Sequence, residues 1–127
     1  MAGPSAFISF ETEDRWARDL LVQHAGRAGG GIQFVDYSVY DPFDSDWQTA
    51  CTERIARTQG TITLIGPTTY RSDPVLWEIA ETCRQGKHLF GIQIDRGCDY
   101  PVPRGLPVTR VVHWEYRAIV GELGRWT

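Results

Sequence analysis

The chain has 127 residues, of which 42% are hydrophobic and 23% are charged. This balance is typical of a globular protein and excludes a disordered or collagen-like chain. The formal net charge of −3 comes with no run of lysines or arginines, which disfavours binding to nucleic acid. We expect one cytoplasmic domain over residues 1–127. The N-terminus lacks a signal-peptide pattern, and no apolar run approaches the ~18 residues of a membrane span.

The cysteines predict neither a disulfide framework nor a structural metal. Cys51, Cys83 and Cys98 are odd in number, and they lack CxxC spacing and a histidine at zinc-ligand spacing. A reducing cytosol fits this pattern best. We expect Cys51 and Cys83, on inward faces of predicted helices, to be small buried hydrophobes.

The first half of the chain predicts strand, helix and strand. Residues 6–10 form a short apolar run typical of a buried strand, and residues 32–37 predict a second one. Between them we expect a helix that Thr12 caps and that glycines at 29–31 end. Its predicted inward face is Trp16, Leu20, Leu21 and His24. The loop 38–46 that follows the second strand is long and polar, which favours a binding role.

The second half continues the alternation. Ser45 and Gln48 form a capping box for a helix to about residue 57, and residues 61–65 predict a central strand. A third helix is expected to open with Asp73 as its N-cap and Pro74 at its first position. Its predicted inward face is Leu76, Ile79, Ala80 and Cys83. Strands over 88–94 and 109–113 and a helix over 115–123 complete the chain.

Strands that alternate with helices predict a parallel sheet, because parallel neighbours cannot be joined by a tight turn. The fold class expected is therefore α/β. Specifically, we predict a flavodoxin-like three-layer sandwich, with a five-stranded parallel sheet in the order 2-1-3-4-5 and helices on both faces.

In such sheets, ligands bind beyond the carboxyl ends of the strands where the strand order reverses, here between the first and third strands. The predicted walls of this crevice are Ser9, Phe10 and Glu11 after the first strand, residues 36–46, and residues 66–70. Glu78 lies one turn into the helix that follows.

Ordinary structural roles are also open for these residues. Counted at 100° per residue, Glu78 lies roughly 150° from the predicted inward face of its helix, which makes it a solvated residue. Ser9 is a common strand-end residue, Asp36 and Ser38 are common turn formers, and Tyr37 fits a core aromatic. Trp16, Trp47, Trp114 and the three histidines are assigned to structure.

Several stretches, taken in order, resemble the TIR-like domains of bacterial Thoeris anti-phage systems. They are Phe7-Ile8-Ser9-Phe10, Asp36-Tyr37-Ser38-Val39 followed by Asp41-Pro42, Ser72 with Glu78-Ile79, Gly86-Lys87 through Gly91-Ile92, and Val112-His113-Trp114 with Ile119. The run Asp36-Tyr37-Ser38-Val39 is rarer than the first stretch and separates this group from ordinary TIR domains. The resemblance covers nearly the whole chain.

The resemblance implies an enzyme that cleaves NAD between nicotinamide and ribose, with Glu78 as the catalytic carboxylate. NAD is then the substrate, and no cofactor or metal is expected. Ser9 and the backbone at Phe10 and Glu11 would contact ribose or phosphate. Asp36, Tyr37 and Ser38 would border the pocket under a lid formed by the following loop.

Pro74 stands where many TIR domains have a tryptophan, four residues before the glutamate. Trp77 is the nearest aromatic and becomes the candidate to contact the substrate.

The expected partners of such an enzyme are a phage-derived activator, other copies of the chain and an effector that senses the nucleotide product. Two alternatives stay open. One is a TIR-like interaction module without catalysis, which the proline at position 74 favours. The other is nucleoside deoxyribosyl transfer, which also uses a carboxylate on a similar sheet.

Overall fold

A computed structural model describes residues 4–27, 32–35 and 46–126. The strands in it are β1 (Ser5–Ser9), β2 (Gln33–Val35), β3 (Gly60–Ile65), β4 (His88–Gln93) and β5 (Val111–His113). The helices are α1 (Arg15–Arg27), α2 (Trp47–Ala56), α3 (Asp73–Arg84) and α4 (Tyr116–Gly124). All strand pairs are parallel, and the order is β2-β1-β3-β4-β5. The predicted fold class and strand order are confirmed.

The hydrophobic core divides into two layers, one on each face of the sheet. On one face, Ala17 and Leu21 of α1 and Ile119 and Leu123 of α4 pack with β-strand residues such as Ile62. On the other face, α2 packs Cys51 and Ile55 against Phe7, and α3 packs Val75 and Ile79 against Ile65. All six residues of β3 are buried, as expected of a central strand covered on both sides.

The first helix differs from the prediction in its phase. Residues Thr12–Asp14 form a 3-10 turn before α1, and no side chain caps that turn. A 3-10 helix has about three residues per turn, whereas an α-helix has about 3.6. A helical face counted from Thr12 is therefore out of phase with the buried face of α1. Ala17, Leu21 and Ala25 are the buried residues, while Trp16 is 55% exposed. The assignment of Trp16 to the core is therefore wrong.

Two predicted details of α3 are also wrong. Its N-cap is Ser72 rather than Asp73, because Ser72 has the extended backbone of a cap and its Oγ accepts a hydrogen bond from Val75 N–H at 3.3 Å. The buried face contains Val75, Glu78, Ile79 and Thr82, whereas Ala80 and Cys83 are exposed. Glu78 and Thr82 turn inwards because they find hydrogen-bond partners there, which a hydrophobicity pattern does not register. Gly86 follows the helix at φ 69°, a conformation that favours glycine.

Boundaries differ elsewhere. The predicted fifth strand loses its first two residues to a 3-10 turn, Val108–Arg110, which leaves β5 with three residues. Residues 38–45 of the predicted loop 38–46 lie outside the described residues. They include Ser45, the predicted capping residue.

Candidate functional site

The candidate site lies where β1 and β3 end and the connections leave for opposite faces of the sheet. The chain passes from β1 to α1 on one face, and from β3 through residues 66–72 to α3 on the other. Ser9 and Thr63 are register partners near the ends of these two strands. This is the crevice position at which open parallel sheets bind ligands.

Glu78 is buried at this position, with only 3% of its surface exposed. Its Oε1 accepts a hydrogen bond from Ser9 Oγ at 2.6 Å, and its Oε2 lies 3.5 Å from Cys51 Sγ. The first distance is typical of a hydroxyl that donates to an ionised carboxylate. The site therefore joins one residue from each of β1, α2 and α3, far apart in sequence.

Hydroxyl groups continue this polar cluster towards the middle of the sheet. Thr82 Oγ1 donates to the carbonyl oxygen of Glu78 at 2.8 Å and lies 2.7 Å from Thr61 Oγ1. Because Thr82 has one hydroxyl proton, Thr61 is the donor in the second bond. Among the described residues, buried Thr63 Oγ1 has no hydrogen-bond partner. Polar side chains therefore lie between α3 and the sheet, beside the Glu78 carboxylate.

Burial and then the neighbouring Glu78 carboxylate raise the pKa of the Cys51 thiol far above its usual range. The thiol is protonated at neutral pH and can donate to Glu78. It is no nucleophile, since nucleophilic attack requires the thiolate. Cys51 is buried as expected, but its contact with the predicted catalytic residue was not anticipated.

The other predicted substrate residues that the structure describes are Phe10, Glu11 and Trp77. Phe10 is buried in the core layer under α1 and α4, on the opposite face of the sheet from Glu78. Glu11 is half-buried. Trp77 is half-buried too, and its ring meets that of Trp47 edge to face with centroids 5.1 Å apart. Ser9, also in the predicted set, donates a hydrogen bond to Glu78.

Asp36, Tyr37 and Ser38 lie outside the described residues. Their predicted place beside Glu78 stays a prediction.

Three cavities of about 500, 320 and 360 Å³ are lined by residues other than Ser9 and Glu78. The largest lies near the start of β4, around His88 and Trp126. The smallest of the three lies near the carboxyl end of the sheet, around Asp14 and Trp16. The predicted nucleotide-sized crevice at Glu78 is therefore not among these three.

Within the described part of the chain, no group of three or more histidine, cysteine, aspartate or glutamate side chains could hold a metal ion. No helix in the same ranges is long and apolar enough to cross a membrane.

Comparison with known families decides the classification. Residues 7–98 match the TIR-like domain of the Thoeris protein ThsB, and this stretch contains Ser9, Cys51 and Glu78. The chain belongs to the ThsB TIR-like family. The resemblance stated from the sequence is confirmed at the level of the family. No curated protein matches the ThsB-like chain.

Solved structures similar to this ThsB TIR-like domain share its fold at low sequence identity. The TIR domain of the Toll-related receptor TRR-2 from Hydra magnipapillata has a TM-score of 0.66 at 19% identity, covering 94% of this chain and 91% of its own. A prokaryotic SEFIR domain has a TM-score of 0.56 at 15% identity, covering 97% and 89%. The RPS4 and RRS1 TIR domain heterodimer has a TM-score of 0.56 at 13% identity, covering 97% of this chain and 92% of its own. At these identities the similarity establishes the fold alone.

Proposed function

We propose that this ThsB TIR-like domain is an enzyme that breaks the bond between nicotinamide and ribose in NAD, with Glu78 as its catalytic carboxylate. The observation that carries the proposal is the buried hydrogen bond between Ser9 Oγ and Glu78 Oε1 at 2.6 Å, at the end of β1. A carboxylate removed from water is costly unless it is held by partners. Its burial beside the point where strand order reverses suits a group that acts on a bound ligand.

The chemistry requires one well-placed negative charge. As the C1′–N bond breaks, its electron pair passes to the nitrogen of nicotinamide, which leaves as a neutral molecule. Positive charge then develops on the ribose, and the Glu78 carboxylate would stabilise it more strongly as the bond lengthens. An oxygen or nitrogen nucleophile completes the reaction by bonding to C1′ and losing its proton to solvent. The burial of Glu78 away from water strengthens this electrostatic effect.

Ser9 is proposed to position Glu78. A single hydroxyl proton donated to Oε1 fixes the carboxylate while leaving its charge available. The Cys51 thiol, kept protonated by its raised pKa, supports Oε2 in the same way. The backbone near Phe10 and Glu11, residues 36–38 and Trp77 are proposed to contact the substrate around this fixed group.

Family membership supports a wider proposal. The enzyme would act in the cytoplasm of a bacterium during phage infection, would be triggered by a phage-derived activator, and would make a nucleotide signal for a downstream effector. Its state before infection would then be inactive. A buried Glu78 whose two oxygens both contact protein groups is consistent with an inactive state.

The test is NAD turnover in lysates of bacteria that express the chain, prepared with and without phage infection and analysed by mass spectrometry. We expect nicotinamide and an ADP-ribose-containing product after infection. Glu78→Gln should abolish the product, a loss of at least about a hundredfold if the charge is what stabilises the transition state.

Glu81→Gln is the matched control for this test. Glu81 is a buried carboxylate on the same helix, 7% exposed, but it pairs with Arg84 instead of Ser9. It should retain activity. Full activity in Glu78→Gln, with the protein folded, would refute the catalytic role.

A non-catalytic interaction module is the second candidate. It is favoured by Pro74 at the first turn of α3, where many TIR domains have a tryptophan. A related fold, in the RPS4 and RRS1 TIR domains, forms a heterodimer. This candidate predicts self-association in sedimentation experiments together with no NAD turnover in infected lysates.

A further inference from the structure

A second buried carboxyl group lies on the other face of the sheet and has no part in the proposed reaction. Asp14 is 5% exposed and lines the cavity of about 320 Å³ near the ends of β3 and β4. Among the described residues, its Oδ2 has no hydrogen-bond partner. An unpaired buried carboxylate oxygen costs free energy, so its presence beside a cavity needs an explanation.

The backbone is built to admit this carboxyl group. Gly66, just beyond β3, has no Cβ, and a Cβ there would overlap the Asp14 carboxyl group. The Gly66 N–H donates to Thr69 Oγ1 at 2.8 Å rather than to Asp14. Asp14 therefore packs closely against Gly66, but Gly66 supplies no hydrogen bond to Oδ2.

The surroundings of Asp14 are acidic. Burial, followed by the carboxylates of Glu13 and Glu11, raises the pKa of Asp14, while hydrogen bonding to the Thr69 side chain lowers it by a smaller amount. The one cation on the described cavity wall, Arg96, donates its Nε–H to the carbonyl oxygen of Trp114 at 3.0 Å. Asp95 on the same wall already accepts from Tyr100 OH at 3.1 Å and from Gly97 N–H at 2.8 Å. A positively charged group that also donates a hydrogen bond would stabilise the buried Asp14 carboxylate most directly.

The same cavity is lined by Trp16, which is 55% exposed although it is large and aromatic. A tryptophan face attracts cations, and arginine-type cations stack on it more often than lysine-type ones. A guanidinium ion is also more weakly hydrated than an ammonium ion, so it loses less on leaving water for a buried carboxylate. Ile94 and Pro67 supply apolar wall for its flat surface.

We propose that this cavity is a binding site for a guanidinium group, which pairs with the carboxylate of Asp14 and stacks on Trp16. The group comes either from a free small molecule or from an arginine of another protein molecule. The site is separate from that of Glu78, because α1 and α3 lie on opposite faces of the sheet. It stands whether or not Glu78 is catalytic.

The test titrates the folded protein with N-acetyl-arginine amide and follows backbone amide shifts by NMR. N-acetyl-citrulline amide, a neutral ligand of nearly the same shape, is the ligand control. We expect saturable binding of the arginine compound with a Kd of about 1–10 mM, and at least roughly tenfold weaker binding of the citrulline compound. Equal affinity for the two compounds, or no saturable shift, would overturn the proposal.

Variants locate the site. Asp14→Asn should weaken binding about tenfold, and Trp16→Ala about threefold to tenfold. Trp16 is exposed, so its removal should not threaten folding. The matched controls are Asp73→Asn and Tyr116→Ala, an exposed acid and an exposed aromatic outside this cavity wall. Binding that survives both site variants would contradict the assignment, as would Asp14-dependent binding of adenosine tighter than that of the arginine compound.

Two further measurements identify the source of the group and separate this proposal from the NAD reaction. If a second copy of the chain supplies the arginine, sedimentation should show self-association that both the arginine compound and Asp14→Asn reverse. If the chain is monomeric throughout and binds the compound, the source is a free molecule or a different protein. Glu78→Gln should bind the arginine compound as the unmodified chain does, and a loss of binding in that variant would overturn the claim of separate sites.

Discussion

Glu78 and Asp14 are two buried carboxyl groups near the carboxyl ends of the strands, one on each face of the sheet. Glu78 is 3% exposed, and both of its oxygens contact protein donors. Asp14 is 5% exposed, and its Oδ2 lacks a partner among the described residues. Burial is nearly equal in the two, so the difference lies in the hydrogen bonds. The first carboxylate is fixed by the fold, whereas the second is suited to receive a ligand.

The largest effect that we expect in this comparison is slow chemical labelling of Cys51. The labelling rate shows whether the contacts around Glu78 open to solvent. Cys51 is fully buried and its thiol pKa is raised, whereas Cys83 and Cys98 are exposed. We expect a thiol reagent at pH 8 to label two cysteines quickly and Cys51 at least about a hundredfold more slowly. Labelling in denaturant should reach all three cysteines of the sequence.

Fast labelling of all three thiols in the folded protein would show that α2 and α3 separate readily. In that case, Glu78 would be far less fixed than its contacts indicate. Repeating the measurement on protein from infected lysate tests whether activation exposes the cluster.

The next largest effect is expected at Ser9. Ser9→Ala removes the donor to Glu78 Oε1 and leaves a buried carboxylate oxygen without it, which should lower the free energy of unfolding by about 1–3 kcal/mol. Urea denaturation at pH 7 measures the change. Ser5→Ala, at the other end of β1, is the control and should change stability by less than about 0.5 kcal/mol. Equal effects in the two variants would mean that the Ser9 bond contributes little.

A smaller effect of opposite sign is expected at Asp14. Asp14→Asn removes an unpaired charge, and we expect a gain on the order of 1 kcal/mol at pH 7. The pKa of Asp14 is raised above 3.8 in the folded protein, so the folded state binds a proton more readily than the unfolded chain. The penalty from Asp14 is therefore absent below that value and appears as the pH rises through the folded pKa.

Urea denaturation of both proteins between pH 3.5 and pH 7 checks this prediction. The advantage of the asparagine variant should shrink on acidification. A loss of stability at neutral pH would mean that Asp14 has a stabilising partner and would weaken its interpretation as a ligand-binding group.

The smallest effect is expected at Glu81, the third buried acid, whose partner lies at the surface. The hydrogen bond from Arg84 lowers the pKa of Glu81 below 4.5. Its stabilisation is therefore present above pH 4.5 and is lost as the pH falls through the folded pKa. Because Arg84 is largely exposed, Glu81→Gln should cost less than about 1 kcal/mol. A cost as large as that of Ser9→Ala would show that carboxylates on α3 respond alike, whatever their partners.

The fold was predictable from the sequence because its signals are local and repeated. Runs of β-branched residues such as those of β3 alternate with helices, and right-handed crossovers then limit the strand order. The location of Glu78 near the end of β1 also followed, from the rule for parallel sheets and from the family resemblance.

The burial of Glu78 did not follow from the sequence. Hydrophobic periodicity placed it in solvent because the pattern assigns no inward preference to a glutamate. The preference comes from Ser9 and Cys51, which lie 69 and 27 residues away in sequence. The one local hint was the pair Thr61 and Thr63 in a buried strand, since hydroxyls at alternate positions mark a polar strip on one face.

The central place of β1 and β3 determines where motion can occur. Each of these strands has a paired strand on both sides, whereas β2 and β5 are edge strands of three residues. Amide hydrogens in β1 and β3 should therefore exchange with solvent only when the domain unfolds as a whole. We therefore expect the carboxyl ends of β1 and β3, next to Ser9 and Gly66, to be rigid. Among the described residues, an opening that admits a ligand to Glu78 would have to come from α2, α3 and residues 66–72.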